Sequence, residues 1–263
     1  MGILNVTPDS FSDGGRFFDH ERAVAAGIEM VSHGADIIDV GGESTRPGAQ
    51  PVSVADESAR ILPVVKRLAA EVDVPISIDT RKPEVAAAAL DAGATIVNDL
   101  TAGAASGMFA LVRSAGAGMV LIYMRGEPAT MTSLTDYGDV VGDVRVYLSD
   151  RLRAAADAGI DVERLAVDPG LGFAKTTDQS LLLMKRTDSF LSLGRPVLVG
   201  PSRKSFVGDV LGSGVDERFE GTAGAVAWTV AKGAHIVRVH DVKGMVRVVR
   251  MVDAIRLAGE GLS

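Results

Sequence analysis

Short apolar runs recur along the chain, and most of them end in a polar residue followed by glycine, proline or a polar loop. The runs occupy residues 2–6, 36–40, 75–78, 94–97, 118–122, 165–167, 196–199 and 235–237. Continuous apolar runs of this length are typical of strands that are covered on both faces. After the sixth run, Asp168 is followed by Pro169 and Gly170, which stop a strand because proline cannot donate to a ladder and glycine permits a sharp turn. The pattern predicts eight buried strands.

Helical patterns lie between these runs. Asp19 is predicted to cap a first helix whose buried stripe includes Ile28, and Ser53 with Asp56 resembles a capping box at the start of the second. A longer helix is predicted over residues 140–158. Strands that alternate with helices favour a parallel sheet, and eight such units favour a closed (β/α)8 TIM barrel, with residues 1–263 forming a single domain.

The alternative fold is an open, doubly wound sheet of the kind that binds dinucleotides. Gly170 and Gly172 follow the sixth run, but the third glycine and the acidic partner of the dinucleotide fingerprint are missing. The barrel is therefore the favoured prediction.

Composition narrows the class of protein. The chain has 263 residues, 47% of them apolar, which is enough for one large core. It has no cysteine, so neither a disulfide framework nor a thiol nucleophile is available. The net charge of −7 argues against a nucleic-acid partner, and any anionic substrate must be held by a local basic cluster. No apolar run approaches the ~20 residues of a membrane span. We expect a cytoplasmic enzyme without a membrane partner.

The polar strand ends suggest chemistry, because a TIM barrel gathers the carboxyl ends of its strands around one mouth. One group suits a polar, hydrogen-rich ring: Asp79, Asn98 and Asp168. A cationic group suits phosphate: Arg46, Arg238 and His240. Lys204 could serve either group. Hard oxygen ligands for Mg²⁺ are offered by Asn5, Asp9 and Asp13.

Each of these residues also has a purely structural interpretation. Asp79 and Asp168 could cap the helices that follow them, and His240 could be a satisfied structural histidine. Lys204 could simply begin a solvated helix. Position favours the functional interpretation, because side chains from separate strands would not all fall at the same end of a barrel by accident.

Six stretches of the chain resemble the dihydropteroate synthase family, in the same order and over nearly the whole length. They are GILNVTPDSFSDGG (2–15), DVGGESTRPG (39–48), SIDT (77–80), DPGLGF (168–173), SRK (202–204) and RVHD (238–241). The resemblance implies condensation of 6-hydroxymethyl-7,8-dihydropterin pyrophosphate with p-aminobenzoate, giving 7,8-dihydropteroate and pyrophosphate in folate biosynthesis. It also implies a transferase that depends on Mg²⁺, forms a homodimer and is inhibited by sulfonamides, which mimic the aminobenzoate.

The same resemblance assigns residue roles. The implied pterin-binding residues are Asp79, Asn98, Ile122, Asp168, Gly200 and Lys204. The implied pyrophosphate-binding residues are Asn5, Arg46, Arg238 and His240, of which Asn5 would also hold the metal ion. The implied aminobenzoate-binding residues are Phe11, Thr45, Pro47, Phe173 and Ser205. The implied catalytic residues are Asp79, Lys204, Arg238, His240 and Asp13, the last on the first loop.

The chain departs from the family at a few positions. The family usually has a Met-His pair where this sequence has Ile122 and Tyr123, and Pro201 is unusual before the SRK stretch. The chain begins at its first predicted strand, so we expect the family's N-terminal leader to be missing. Two other functions stay open: a pterin-binding paralogue without turnover, and a methyltetrahydrofolate:corrinoid methyltransferase. The second needs no pyrophosphate clamp, so Arg46 and Arg238 count against it.

Overall fold

The computed structural model describes residues 1–7, 15–45 and 48–259, with the backbone alone described for residues 15–19. Eight strands are present in this part of the chain: β1 (Gly2–Asn5), β2 (Ile38–Gly41), β3 (Ile76–Asp79), β4 (Ile96–Asp99), β5 (Gly118–Ile122), β6 (Leu165–Asp168), β7 (Leu198–Val199) and β8 (Ile236–Val237). Each overlaps one of the predicted apolar runs.

Helices separate the strands. They are α1 (Gly15–Ser32), α2 (Val54–Glu71), α3 (Pro83–Asp91), α4 (Met108–Ala115), α5 (Val140–Asp157), α6 (Thr177–Lys185), α7 (Ser205–Leu211), α8 (Phe219–Ala231) and α9 (Val242–Arg256). Short 3-10 helices cover Met131–Ser133, Val162–Arg164, Thr187–Leu193 and Val215–Glu217. Two helices, α7 and α8, lie between β7 and β8, so the loop after β7 begins with an additional short helix.

The strands close into a ring. Strands β1 to β6 form one sheet in chain order, β7 pairs with β8, and all paired strands are parallel. A bridge between Val167 and Val197 joins β6 to β7, and a bridge between Gly2 and Val239 joins β8 to β1. The amide of Ile3 donates to the carbonyl of Val239 at 2.9 Å. The (β/α)8 barrel predicted from the sequence is confirmed, and the open doubly wound sheet is excluded.

Two apolar cores follow from the alternation of side chains along each strand. Residues such as Leu121 and Val167 pack outward against the helices. Residues one position away, such as Ile122, Ala166 and Leu198, form a smaller core inside the barrel. The same alternation places the polar residues at the strand ends above this inner core.

Some helix details differ from the sequence prediction. Helix α1 begins at Gly15, so Asp19 lies inside the helix and is not its N-cap. Ile28 is 36% exposed, because the buried stripe of α1 runs through Ala23 and Val24 instead. The hydroxyl of Ser53 caps α2 by accepting from the amide of Asp56, as predicted. Among the described residues, every helix falls short of the length and apolarity that crossing a bilayer requires.

Candidate active site

The mouth of the barrel is lined by side chains from neighbouring strands at the same height. In the strand register, Asn5 pairs with Gly41, Gly41 with Asp79, and Asp79 with Asn98. On the other side of the ring Asp168 pairs with Ile122. The structure therefore brings together the pterin-binding candidates that the sequence analysis proposed at separate positions of the chain.

Arg238 lies at the centre of this mouth and holds two acids. Its Nε donates to Oδ2 of Asp39 at 2.5 Å, and its Nη2 donates to Oδ2 of Asp79 at 2.7 Å. The amide of Asn98 donates to the same Asp39 oxygen at 3.1 Å. Burial alone would lower the pKa of Arg238, but the attraction of Asp39 and Asp79 outweighs it, and the pKa lies above its usual value. One permanently charged guanidinium thus ties β8 to β2 and β3.

Burial perturbs the titration of the groups around Arg238. It raises the pKa of Asp79 to about 7, against the opposing attraction of Arg238. It also raises the pKa of Asp168, although the Gly170 amide donates to Oδ1 of that carboxylate at 2.7 Å. Burial, reinforced by Arg238, lowers the pKa of Lys204 to about 8. Strongly perturbed acids and a perturbed amine in one cleft are typical of an active site.

Three of the aminobenzoate-binding candidates, Thr45, Phe173 and Ser205, lie in loops or at a helix start beyond the carboxyl ends of β2, β6 and β7. The Lys204 ammonium lies 3.9 Å from the centre of the Phe173 ring, within the range of a cation–π contact. Ser205 is exposed at the start of α7. Thr45 lines a small cleft together with Asp79.

His240 departs from its predicted charge. Its backbone amide donates to the hydroxyl oxygen of Ser202 at 3.1 Å, and its Nδ1 lies 2.9 Å from the same oxygen. Burial, together with the charge of Arg238, lowers the pKa of His240 to about 4. Burial therefore favours the uncharged imidazole at neutral pH, and the role of His240 in pyrophosphate binding stays a prediction. A neutral imidazole still has Nε2 for one hydrogen bond to an anion.

The stretches SRK (202–204) and RVHD (238–241) are joined by side-chain hydrogen bonds. The Arg203 guanidinium donates to both carboxylate oxygens of Asp241, at 3.2 and 2.9 Å. Arg218 donates to the carbonyls of Arg203 and Lys204, at 3.0 and 3.2 Å. Arg203 has a φ of +56°, a left-handed conformation that costs energy for a non-glycine residue. These contacts hold Lys204 in place, and the sequence analysis assigned none of them.

Asp39 is a further residue of the site to which the sequence analysis assigned no role. It is fully buried in the middle of β2, two positions before the strand ends, and its Oδ1 has no hydrogen-bond partner among the described residues. A charged residue at an inward position of an apolar strand was the available signal. The candidates predicted from the sequence stand at strand ends, whereas Asp39 lies one layer deeper.

The loop that follows β2 is held in place by charged side chains. Glu43 accepts from Arg81 at 3.2 Å and contacts Lys82, which also contacts the buried Glu57. Arg60 donates to the carbonyl of Gly42 at 2.8 Å.

Five predicted residues lie outside the described residues. They are the site residues Phe11, Asp13, Arg46 and Pro47 and the candidate ligand Asp9.

The metal prediction rests on Asn5. Within the described ranges no group of three or more His, Cys, Asp or Glu side chains could hold a metal ion. Asn5 and Asp79 both border Gly41: an added β-carbon there would lie 3.8 Å from Asn5 Oδ1 and 3.8 Å from Asp79 Oδ2. One amide oxygen suits Mg²⁺, because this ion keeps several waters and is commonly held through substrate phosphates. The residues present are compatible with such a site.

Acids, an amide, a lysine and an arginine surround one mouth of a closed barrel. This combination defines a (β/α)8 enzyme whose substrate carries a polar ring and an anionic group. A model of the family described as pterin binding enzyme matches residues 1–240. The chain is 46% identical to the dihydropteroate synthase of Synechocystis sp. over 257 residues, which cover 97% of this chain and 89% of that protein. The chain belongs to the dihydropteroate synthases, a family of transferases within the pterin-binding enzymes.

Solved structures agree. A Xanthomonas albilineans dihydropteroate synthase with 4-aminobenzoic acid has a TM-score of 0.92 and 42% identity, covering 97% of this chain and 92% of that one. A Yersinia pestis dihydropteroate synthase in a sulfonamide drug complex has a TM-score of 0.93 and 39% identity, covering 98% and 94%. The fold and the family are therefore established by independent comparisons.

Proposed function

We propose that this chain condenses 6-hydroxymethyl-7,8-dihydropterin pyrophosphate with p-aminobenzoate, and that the mouth of the barrel carries out the reaction. The main support is the cluster of Asp79, Asp168, Asn98 and Lys204 around Arg238, which combines hydrogen-bond acceptors for a heterocycle with cations for its anionic group. Membership of the family supplies the reaction class.

The pterin ring would bind against the acids and the amide. Carboxylates accept from ring and exocyclic N–H groups, and an amide both donates and accepts. The Oδ1 of Asn98 is buried without a hydrogen-bond partner, which costs free energy until a donor arrives. An N–H group of the pterin would relieve that cost, while Ile122 would provide an apolar wall.

The chemical step separates charge. The C–O bond to pyrophosphate breaks as the amine nitrogen forms the new C–N bond, and the amine then loses a proton. Positive charge develops on the pterin methylene, where ionised Asp79 would stabilise it, and negative charge develops on the leaving group, where Arg238 and Arg46 would stabilise it. Neutral His240 would add one hydrogen bond. Mg²⁺, when bound, supplies further positive charge to the pyrophosphate, and Asn5 is its candidate protein ligand.

The aminobenzoate would bind at the rim, between Phe173, Thr45 and Ser205, together with Phe11 and Pro47. Its arylamine is nucleophilic while uncharged, so no activated serine or cysteine is needed, which agrees with a chain without cysteine. A sulfonamide that mimics aminobenzoate would occupy the same rim. The cytoplasmic location stays a prediction from the sequence.

Pyrophosphate release tests this proposal. We expect release only when pterin pyrophosphate, aminobenzoate and Mg²⁺ are all present, and we expect a sulfonamide to raise the apparent KM for aminobenzoate. Calorimetric binding of the pterin without any product would instead identify a paralogue that only binds. Methyl transfer from methyltetrahydrofolate to a corrinoid would contradict the proposal directly.

We also propose a homodimer formed through the outer face of α6, α7 and α8, here called the helical face. Large apolar side chains are exposed on it: Leu181, Leu182, Val210, Leu211, Phe219 and Trp228. Trp228 is 50% exposed. Contiguous exposed apolar surface marks association sites in soluble proteins, and a second copy of the chain offers the same surface in return.

A charge on this face is expected to separate the dimer. Trp228→Glu would place a carboxylate in an apolar interface, and the molecular mass measured by light scattering should fall from twice the mass of one chain to the mass of one chain. Ile255→Glu on α9 is the matched control, because Ile255 is also exposed but lies on a different helix. A wild-type monomer, or a Trp228→Glu protein that stays dimeric, would contradict the helical face.

A further inference from the structure

Tyr123 does not enter the pterin pocket, although it replaces a family histidine next to Ile122. It lies one position beyond the inward-facing Ile122 and is buried in the outer core, between the barrel and its helices. Its ring makes an edge contact with Tyr147 at a centroid distance of 4.9 Å. The bulk of this tyrosine is therefore accommodated behind the strand end.

The ammonium of Lys175 lies over the face of that buried ring. Its Nζ lies 4.4 Å from the centre of the Tyr123 ring and donates to the carbonyls of Gly170 and Phe173, both at 2.9 Å. One amine therefore binds two carbonyls of the segment that follows Asp168, here called the β6 loop (169–175). Burial lowers the pKa of Lys175 to about 7, with Asp168 opposing the shift and Lys204 and Arg125 adding to it.

The β6 loop is held in an uncommon conformation. Gly170 has a φ of +68°, and a β-carbon there would lie 1.9 Å from the carbonyl oxygen of Tyr123, so the loop lies directly on the end of β5. Ala174, beside Lys175, has a φ of +49° although it is not a glycine. Such conformations persist where the surrounding contacts over-determine them. The two hydrogen bonds of Lys175 are contacts of this kind.

We propose that Lys175, seated on Tyr123, is a positioning residue that holds the β6 loop in its substrate-binding shape. This inference rests on the proposed function. The loop carries Phe173, whose ring contacts Lys204, and the amide of Gly170 binds the carboxylate of Asp168. Movement of the loop would therefore change the surroundings of Asp168 and of Lys204 together, whereas the contacts of Lys175 itself are to the loop carbonyls and the Tyr123 ring.

The test compares Lys175→Met with Lys66→Met, in which an exposed lysine of α2 is changed in the same way. At a temperature where circular dichroism shows both variants folded, we expect Lys175→Met to raise the KM for both substrates and lower kcat/KM by about 10–100-fold, as for lost positioning. Lys66→Met should match the wild type. Wild-type kinetic constants in folded Lys175→Met would overturn the proposal.

Tyr123 provides a second pair of variants if Lys175→Met does not fold. Tyr123→Phe keeps the ring beneath the ammonium and should leave both KM values within about twofold, whereas Tyr123→Leu removes the ring and should raise both. Equal KM values in these two variants would overturn the role of the ring. Calorimetric binding of pterin pyrophosphate should weaken in Lys175→Met even without turnover. A wild type without turnover would defeat the proposed function, whereas unchanged binding by Lys175→Met would defeat this inference.

Discussion

Lys204→Met is expected to lower kcat/KM for pyrophosphate release by about 10²-fold or more, the effect of removing a group that acts on developing charge. Lys204 lies close enough to Asp79, Asp168 and Arg238 for their charges to shift its pKa. Methionine keeps the apolar stem against Phe173 and removes only the charge. The variant therefore isolates the contribution of the ammonium from the packing of its side chain.

The comparison with Lys66→Met again controls for the loss of one surface lysine. We expect the Lys204→Met protein to unfold at the temperature of the wild type or above it, because a partly buried ammonium whose pKa is lowered by desolvation costs free energy in the folded state. Normal turnover in this variant would remove Lys204 from the proposed centre. A parallel loss of turnover and folding would point to a structural role instead.

The sequence allowed the barrel to be predicted because the signal for each strand is local. Apolar runs at a regular spacing, each followed by turn residues, can be recognised without knowing what packs against them. The candidate residues at the strand ends followed from the same signal. Asp79 and Asn98 are partners in the register of β3 and β4, and Asp168 is the partner of Ile122, so all three lie at or next to the carboxyl ends of their strands.

The partners of these residues could not be predicted in the same way. The contact between Arg238 and Asp39 joins positions separated by 199 residues, and nothing local indicates which acid an arginine will meet. The contact between Lys175 and Tyr123 depends on the path of a loop with unusual backbone angles. The charge of His240 depends on burial and on Arg238, which motif matching does not report. Pairings and protonation states therefore require coordinates.

These pairings explain how an acidic protein can hold an anion. The chain carries a net charge of −7, yet two partly buried cations, Arg238 and Lys204, lie together in the mouth. Asp39 and Asp79 balance Arg238 in this structure. A pyrophosphate that approached Arg238 would compete with Asp79, whose pKa near 7 lowers the cost of giving up part of that interaction. Local arrangement, not net charge, decides the affinity.

Asp39→Asn is the variant for which we expect the largest loss of stability. It leaves the buried Arg238 with Asp79 as its remaining acidic hydrogen-bond partner, and breaking a buried ion pair on one side typically costs about 3–5 kcal/mol. We expect Tm to fall by roughly 10 °C in a scanning calorimetry experiment. Asp73→Asn, at an exposed position before β3, should leave Tm unchanged.

The double variant Asp39→Leu with Arg238→Met separates stability from function. Replacing a buried ion pair by apolar residues of similar volume is often neutral or stabilising, so Tm should recover in part; Asp79 also loses Arg238, which keeps Tm below the wild-type value. Turnover should be lost, because the cation that faces the pyrophosphate is gone. If Asp39→Asn alone kept both Tm and turnover, Asp39 could not be the residue that holds Arg238 in position. The link between β8 and β2 would then depend on the backbone hydrogen bonds that close the barrel.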